Sequence, residues 1–151
     1  MSSSSPQPCW ALCKAAQDEP ANVTAQIAAA GACDNEGLES EAVVFYDAAW
    51  KLGVPSGQRS DFVIGYGSTL RNVGRFEESE RVLRQALSEG IHPRAARAFL
   101  ALTLHAAGHF SQALAELLDL LLEPAGSDAA LERYAPSLTY YAGELRVPKG
   151  P

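Results

Sequence analysis

The chain has 151 residues, enough for one domain with a substantial core, and a formal net charge of −6 at pH 7. This acidic balance, without any run of Lys or Arg, argues against nucleic-acid binding, which needs clustered positive charge to neutralise phosphates. No apolar stretch approaches the roughly 20 residues that a membrane-spanning helix requires. We therefore expect neither a nucleic-acid partner nor membrane association.

The N-terminal segment, residues 1–7, contains four serines and one proline, so we predict that it is disordered. It has neither the basic start nor the apolar centre of a secretory signal. Three cysteines, Cys9, Cys13 and Cys33, are too few and too irregularly spaced for a disulfide framework, and they lack the four paired ligands of a structural metal site. We expect a cytoplasmic protein, no metal or cofactor, and thiols that act as small apolar side chains.

Helical periodicity, caps and breakers predict an all-α chain. Pro20 ends the first helix, because proline disfavours helical geometry in the residue before it. Ser60 is a plausible N-cap for a helix that ends near Asn72, and Ser127 for the last helix. Pro136 is expected to kink that last helix. The predicted helices cover residues 8–17, 21–33, 38–52, 60–72, 76–88, 94–107, 110–122 and 128–144, and residues 146–151 form a tail.

Two stretches of the chain align without a gap when they are shifted by 34 residues. Gly74-Arg75-Phe76 falls on Gly108-His109-Phe110, Ser79 falls on Ala113, and Leu83 falls on Leu117. A fixed period of this size is typical of stacked helical hairpins, in which one unit cannot bury its apolar face alone.

The repeated string of Gly, Phe, a small residue and Leu resembles the tetratricopeptide repeat family. The resemblance implies a right-handed α–α superhelix of about three helical hairpins within one domain at residues 8–145. Its units are expected at residues 23–57, 60–93 and 94–127. The helix at residues 8–17 would precede them. The helix at residues 128–144 would act as a capping helix that shields the last hairpin, where Leu117 is expected to fill the space between hairpins.

The resemblance also implies that the first helix of each hairpin lines a concave face that binds a peptide or protein segment. Ser68, Arg71, Asn72 and His105 form the sharpest polar cluster there, and such a set suits carboxylate or backbone groups. Phe99 and Tyr140 are candidate apolar anchors. The alternative is that Arg71 and Asn72 only cap the helix end and solvate the surface. The full candidate set is Asp34, Asn35, Ile64, Ser68, Arg71, Asn72, Phe99, His105 and Tyr140.

Other interpretations of the sequence are weaker. Gly65-Tyr66-Gly67 lacks the third glycine and the preceding strand of a nucleotide loop, so we attribute it to close helix packing. His105 and His109 flank a predicted turn, which is unsuited to a helical zinc site. Leu117 to Leu122 is richer in leucine than one seam needs, so a self-associating scaffold or homodimer is the second hypothesis. No carboxylate pair or activated nucleophile is recognisable, and we expect no enzyme.

Overall fold

The structure is a computed structural model that describes residues 7–122 and 129–146. The predicted disordered segment and C-terminal tail fall almost wholly outside these ranges, as does the proposed cap Ser127. The described residues form eight helices and no strand. They are α1 (Cys9–Asp18), α2 (Val23–Asn35), α3 (Glu39–Leu52), α4 (Ser56–Asn72), α5 (Phe76–Ser88), α6 (Pro93–Ala106), α7 (Phe110–Leu122) and α8 (Ala129–Arg146).

Three helical hairpins make up the centre of the fold, which confirms the predicted all-α repeat. They are α2 with α3, α4 with α5, and α6 with α7. The first helices also contact one another, α2 with α4 and α4 with α6, so they form one continuous face. Both α5 and α7 have the bounds that the sequence predicted.

The turns of the second and third hairpins have the same geometry. Gly74 has a φ of 83° and Gly108 a φ of 84°, in the left-handed region that side chains rarely adopt. In each turn an amide reaches back to close the helix: Arg75 N donates to Leu70 O, and His109 N donates to Leu104 O, both at 2.8 Å. The repeated glycine therefore specifies a helix-ending turn in both units.

Close packing within the second hairpin depends on Gly67. A β-carbon at this position would lie 2.7 Å from Leu83 Cδ2, so only glycine lets α4 and α5 approach this closely. Facing it, the buried Ser79 donates a hydrogen bond of 2.7 Å to the carbonyl of Gly67. The interpretation of Gly65-Tyr66-Gly67 as a packing feature is confirmed.

Aromatic side chains join the first hairpin to the second. The rings of Tyr46, Trp50, Phe62 and Tyr66 have neighbouring centroids 5.2–6.1 Å apart, within the range of favourable aromatic pairs. In α2, by contrast, the fully buried side chains include the small residues Ala29 and Ala30.

The start of α4 differs from the prediction that Ser60 is its N-cap. The helix begins one turn earlier, at Ser56, directly after Pro55 in an extended conformation. Ser60 therefore lies inside the helix.

α1 packs on the hairpin stack through α2. The buried side chain of Gln26 donates a hydrogen bond of 2.8 Å to the carbonyl of Ala16 near the end of α1. Ala16 is itself 1% exposed. Because a buried amide needs a partner, this bond holds the C-terminal end of α1 in place.

Among the described residues, α8 packs on α6, and the large apolar side chains of α7 stay exposed. Leu117 is 44% exposed, whereas the equivalent Leu83 is completely buried. The prediction that Leu117 fills a space between hairpins is therefore wrong. The last helix does pack on the final hairpin, through α6. Within the described ranges, no helix has both the length and the hydropathy needed to cross a bilayer.

Candidate functional site

A cavity of about 330 Å³ lies between the first helices of the hairpins and α8. We call it the α8 cleft. Ser68 and Asn72 of α4 form part of its wall, and Tyr134 and Tyr141 of α8 close it from the other side. Its lining is Asp34, Asn35, Glu39, Ile64, Gly65, Ser68, Asn72, Phe99, Tyr134, Ser137 and Tyr141.

Arg71 is a buried cation at this wall, with 7% of its surface exposed. Its Nη2 donates to Asn72 Oδ1 at 2.9 Å and to Ser68 Oγ at 3.4 Å. Among the described residues, Nη1 has no hydrogen-bond partner and no carboxylate pairs with the guanidinium. Burial lowers the pKa of Arg71, and Tyr141 acts in the opposite direction. The side chain therefore holds an unused charged donor next to the cleft.

Tyrosines of α8 lie against the face that the first helices form. The guanidinium of Arg71 lies 4.1 Å from the Tyr141 ring centre, and Asn72 Nδ2 donates to the Tyr141 hydroxyl at 3.4 Å. The Tyr134 ring meets Phe99 edge-on at 5.4 Å. Near the start of α8, Arg133 forms an ion pair with Asp61. These contacts anchor α8 over the polar cluster.

Asp34 forms one end of the cleft and joins three helices. Its carboxylate accepts hydrogen bonds from the Tyr46 hydroxyl at 3.1 Å and from Thr69 Oγ1 at 3.2 Å. Burial raises the pKa of Asp34, and the two hydroxyl donors oppose that rise. Its oxygens are therefore already engaged in holding α2, α3 and α4 together.

The predicted site residues do not all lie together. Ser68, Arg71 and Asn72 are adjacent, and Asp34 and Asn35 line the same cleft. Ile64 and Phe99 also line it but are almost fully buried, at 0% and 2% exposed. His105 instead packs edge-on against Phe110 of α7, with ring centroids 5.1 Å apart. Tyr140 is 63% exposed and contacts Tyr141.

A second cavity, of about 410 Å³, lies between α3, α4 and α5. Its two carboxylates are already paired: Arg75 contacts Asp47 at 2.7 Å and Glu78 at 2.6 Å, and the Tyr66 hydroxyl donates to Asp47 at 2.6 Å. Burial and the hydrogen bond to Asp47 raise the pKa of Tyr66. Because Arg75 already pairs with both carboxylates and is not a buried, unpartnered donor like Arg71, this cavity is a weaker candidate than the α8 cleft.

The hairpin stack and its repeated turns agree with a sequence comparison. A family model described as Tetratrico peptide repeat matches residues 23–145. The chain belongs to this family. Tetratricopeptide repeat proteins are generally non-catalytic repeat scaffolds that bind proteins or peptides, and membership suggests a protein–protein interaction module. No curated protein matches the chain.

Sequence reasoning missed two parts of this tetratricopeptide repeat protein. Tyr134 and Tyr141 lie on one stripe of α8, but the stripe does not reveal against which surface the helix packs. The Sγ atoms of the three cysteines lie within 4.8 Å of one another, although Cys33 is 20 residues from Cys13 in the chain. Only the docking of α1 on α2 brings them together.

Proposed function

We propose that this protein is a non-catalytic interaction module that binds a peptide or protein segment on the face formed by α2, α4 and α6. The α8 cleft would be the centre of the binding site. The observation that supports this most directly is the buried guanidinium of Arg71, whose Nη1 lacks a partner in the described part of the chain. A buried charged donor without a partner is costly, and a bound carboxylate would satisfy it.

The cleft offers groups that suit an extended segment. Asn35, Ser68 and Asn72 supply amides and a hydroxyl, which can both donate to and accept from a peptide backbone. Arg71 would pair with a carboxylate of the partner. Phe99 and Tyr134 would provide an apolar wall behind the bound chain.

In this proposal Tyr141 controls access to Arg71. The Tyr141 ring contacts the guanidinium, so a bound carboxylate would have to displace it. The partner would then exchange a cation–π contact for a charge-assisted hydrogen bond, which is the stronger interaction in a partly buried site. Binding would therefore loosen the C-terminal half of α8.

Site-specific photo-crosslinking tests this proposal. A photoreactive phenylalanine analogue at Asn72, which is exposed at the cleft, should crosslink a partner in cells. The matched control carries the same analogue at Arg81, which is exposed on α5. We expect crosslinks at position 72 that Arg71→Met reduces, with circular dichroism confirming an intact fold. Equal crosslinking at positions 72 and 81 would contradict the site.

A second candidate function is a self-associating scaffold, and the exposed face of α7 favours it. Five large apolar side chains of α7 are 51–82% exposed, a contiguous apolar face of the kind that marks an interaction site. Two copies of α7 packed on each other would cover them with two-fold symmetry. The residues are Phe110, Leu114, Leu118, Leu121 and Leu122.

Light scattering separates the two candidates. Self-association through α7 predicts a mass of twice the 16.0 kDa chain, reduced to one chain by Leu118→Glu. The control is Val44→Glu, which places the same charge at a 61% exposed apolar position on α3 and should leave the dimer intact. A concentration-independent monomer for the wild type would reject this candidate and leave the first one untouched.

A further inference from the structure

Three thiols meet where α1 docks on α2. Cys9 and Cys13 lie one turn apart on α1, and Cys33 lies in the last turn of α2. The distances between their Sγ atoms are 3.7 Å for Cys9 and Cys13, 3.5 Å for Cys9 and Cys33, and 3.3 Å for Cys13 and Cys33. All three cysteines are free, and Cys13 is the least buried. Each sulfur therefore faces the other two.

We propose that Cys9, Cys13 and Cys33 bind one Zn²⁺ ion as three thiolates, with the fourth coordination position open to the adjoining cavity.

The sulfur triangle has nearly the size that tetrahedral zinc requires. A Zn–S bond of about 2.3 Å places tetrahedral sulfurs about 3.8 Å apart, within about 0.5 Å of each observed distance. A metal at that distance from all three sulfurs would lie about 1 Å out of their plane, a pyramidal position that leaves one ligand position free. Binding would need only small side-chain rotations.

The surroundings provide both access and a fourth ligand. A cavity of about 340 Å³ adjoins the cluster and is lined by all three cysteines, by Glu36 and by Glu41. Water from this cavity would occupy the open position, because zinc accepts oxygen ligands at about 2.0–2.2 Å. The two acidic side chains also favour a cation over an anion at this end of the molecule.

Zinc binding would release protons. Without a metal, free cysteine thiols are mostly protonated at neutral pH. A bound metal reverses this preference, because a coordinating thiol is deprotonated. Each Zn²⁺ would form three Zn–S bonds and break three S–H bonds, with the protons passing to solvent. Soft thiolate ligands select zinc over magnesium or calcium.

Metal titration of the full chain under reducing conditions tests the proposal. Zn²⁺ added to protein stripped of metal should bind one per chain against a chromophoric chelator. In weakly buffered solution it should release about three protons per ion. Co²⁺ as a probe should give the intense thiolate-to-metal absorption of a sulfur-ligated tetrahedral site. Zinc uptake without proton release, or Co²⁺ without that absorption, would overturn the assignment.

Two variants complete the test. Cys13→Ser changes the least buried ligand and should weaken zinc binding by more than about tenfold, since even changes beyond the ligands cost that much. Ala15→Ser places the same side chain at an exposed position on α1 and should bind like the wild type. Equal zinc affinity in all three proteins would overturn the site. So would a protein that takes up no zinc and instead loses two hydrogens per chain in air, because a disulfide would then be the cluster's chemistry.

Discussion

The guanidinium of Arg71 lies 4.1 Å from the centre of the Tyr141 ring, which couples α4 to α8 across the α8 cleft. Arg71 is buried, so this contact is shielded from water and should be stronger than an exposed one. Among the described residues, Tyr141 is the only ring of α8 in contact with Arg71. It lies directly over the guanidinium donor that we assign to partner binding. The same pair therefore joins α8 to α4 and, in our proposal, would control access to the site.

A double-mutant cycle measures this coupling. We expect Arg71→Met and Tyr141→Leu to show an interaction energy of about 0.5–2 kcal/mol in urea unfolding, the range of partly desolvated cation–π contacts. The control cycle pairs Arg71→Met with Tyr140→Leu, which changes the exposed neighbouring tyrosine. Its interaction energy should be close to zero. Equal values in the two cycles would mean that Tyr141 does not hold Arg71.

Two glycines of α4 should respond in opposite ways to the same substitution. Gly67→Ala forces a β-carbon against buried Leu83, so we expect a loss of about 1–3 kcal/mol in the free energy of unfolding. Gly57 has no atom within 4 Å of a β-carbon, so Gly57→Ala should stabilise by about 0.4–1 kcal/mol through the unfolded chain. Thermal and urea unfolding of both variants check this. A neutral Gly67→Ala would show that α4 and α5 are not closely packed there.

The ion pair between Arg59 and Glu89 should contribute stability that depends on pH. Arg59 donates two hydrogen bonds, at 2.7 and 2.8 Å, and with Gln85 it lowers the pKa of Glu89 from 4.5 to about 2. Because the folded pKa is depressed, the contribution is complete above pH 5. It is lost as the pH falls through the interval from 4.5 to about 2. The pair is partly exposed, so its full value should be about 1 kcal/mol or less.

Unfolding of the wild type and Glu89→Gln between pH 2 and pH 7 measures this contribution. The difference in unfolding free energy should be constant above pH 5 and should vanish near pH 2. Arg59→Met removes the other partner of the ion pair and should abolish the same pH-dependent part of the unfolding free energy. Glu144→Gln, at an exposed position on α8, serves as the control and should leave the profile unchanged. A difference that persists at pH 2 would exclude the carboxylate as its source.

The repeat made much of the fold predictable, because it fixes local structure. Gly74 and Gly108 end helices with the same left-handed turn, and that requirement is visible in the sequence alone. Gly67 was equally readable as a close approach of two helices. The start of α4 could not be predicted from the sequence, because Pro55 and Ser60 are both typical of a helix start and only packing decides between them.

The candidate site was predictable only in part. Ser68, Arg71 and Asn72 lie within five consecutive residues at the end of one helix, so helical geometry alone brings them together. His105 has the right position along α6, yet it turns to Phe110 in the next helix. Which neighbouring ring His105 packs against depends on side-chain contacts, and helical periodicity does not encode those contacts.

By itself the sequence determined the hairpins, their turns and the small residues between them, since these depend on contacts within one 34-residue unit or between neighbours. Only the tertiary structure decided that α8 lies over Arg71, that the apolar side chains of α7 stay exposed among the described residues, and that Cys33 meets Cys9 and Cys13. Each of these depends on how distant segments dock. The way such segments pack depends on many weak contacts summed over a whole surface, and no local sequence pattern specifies that sum.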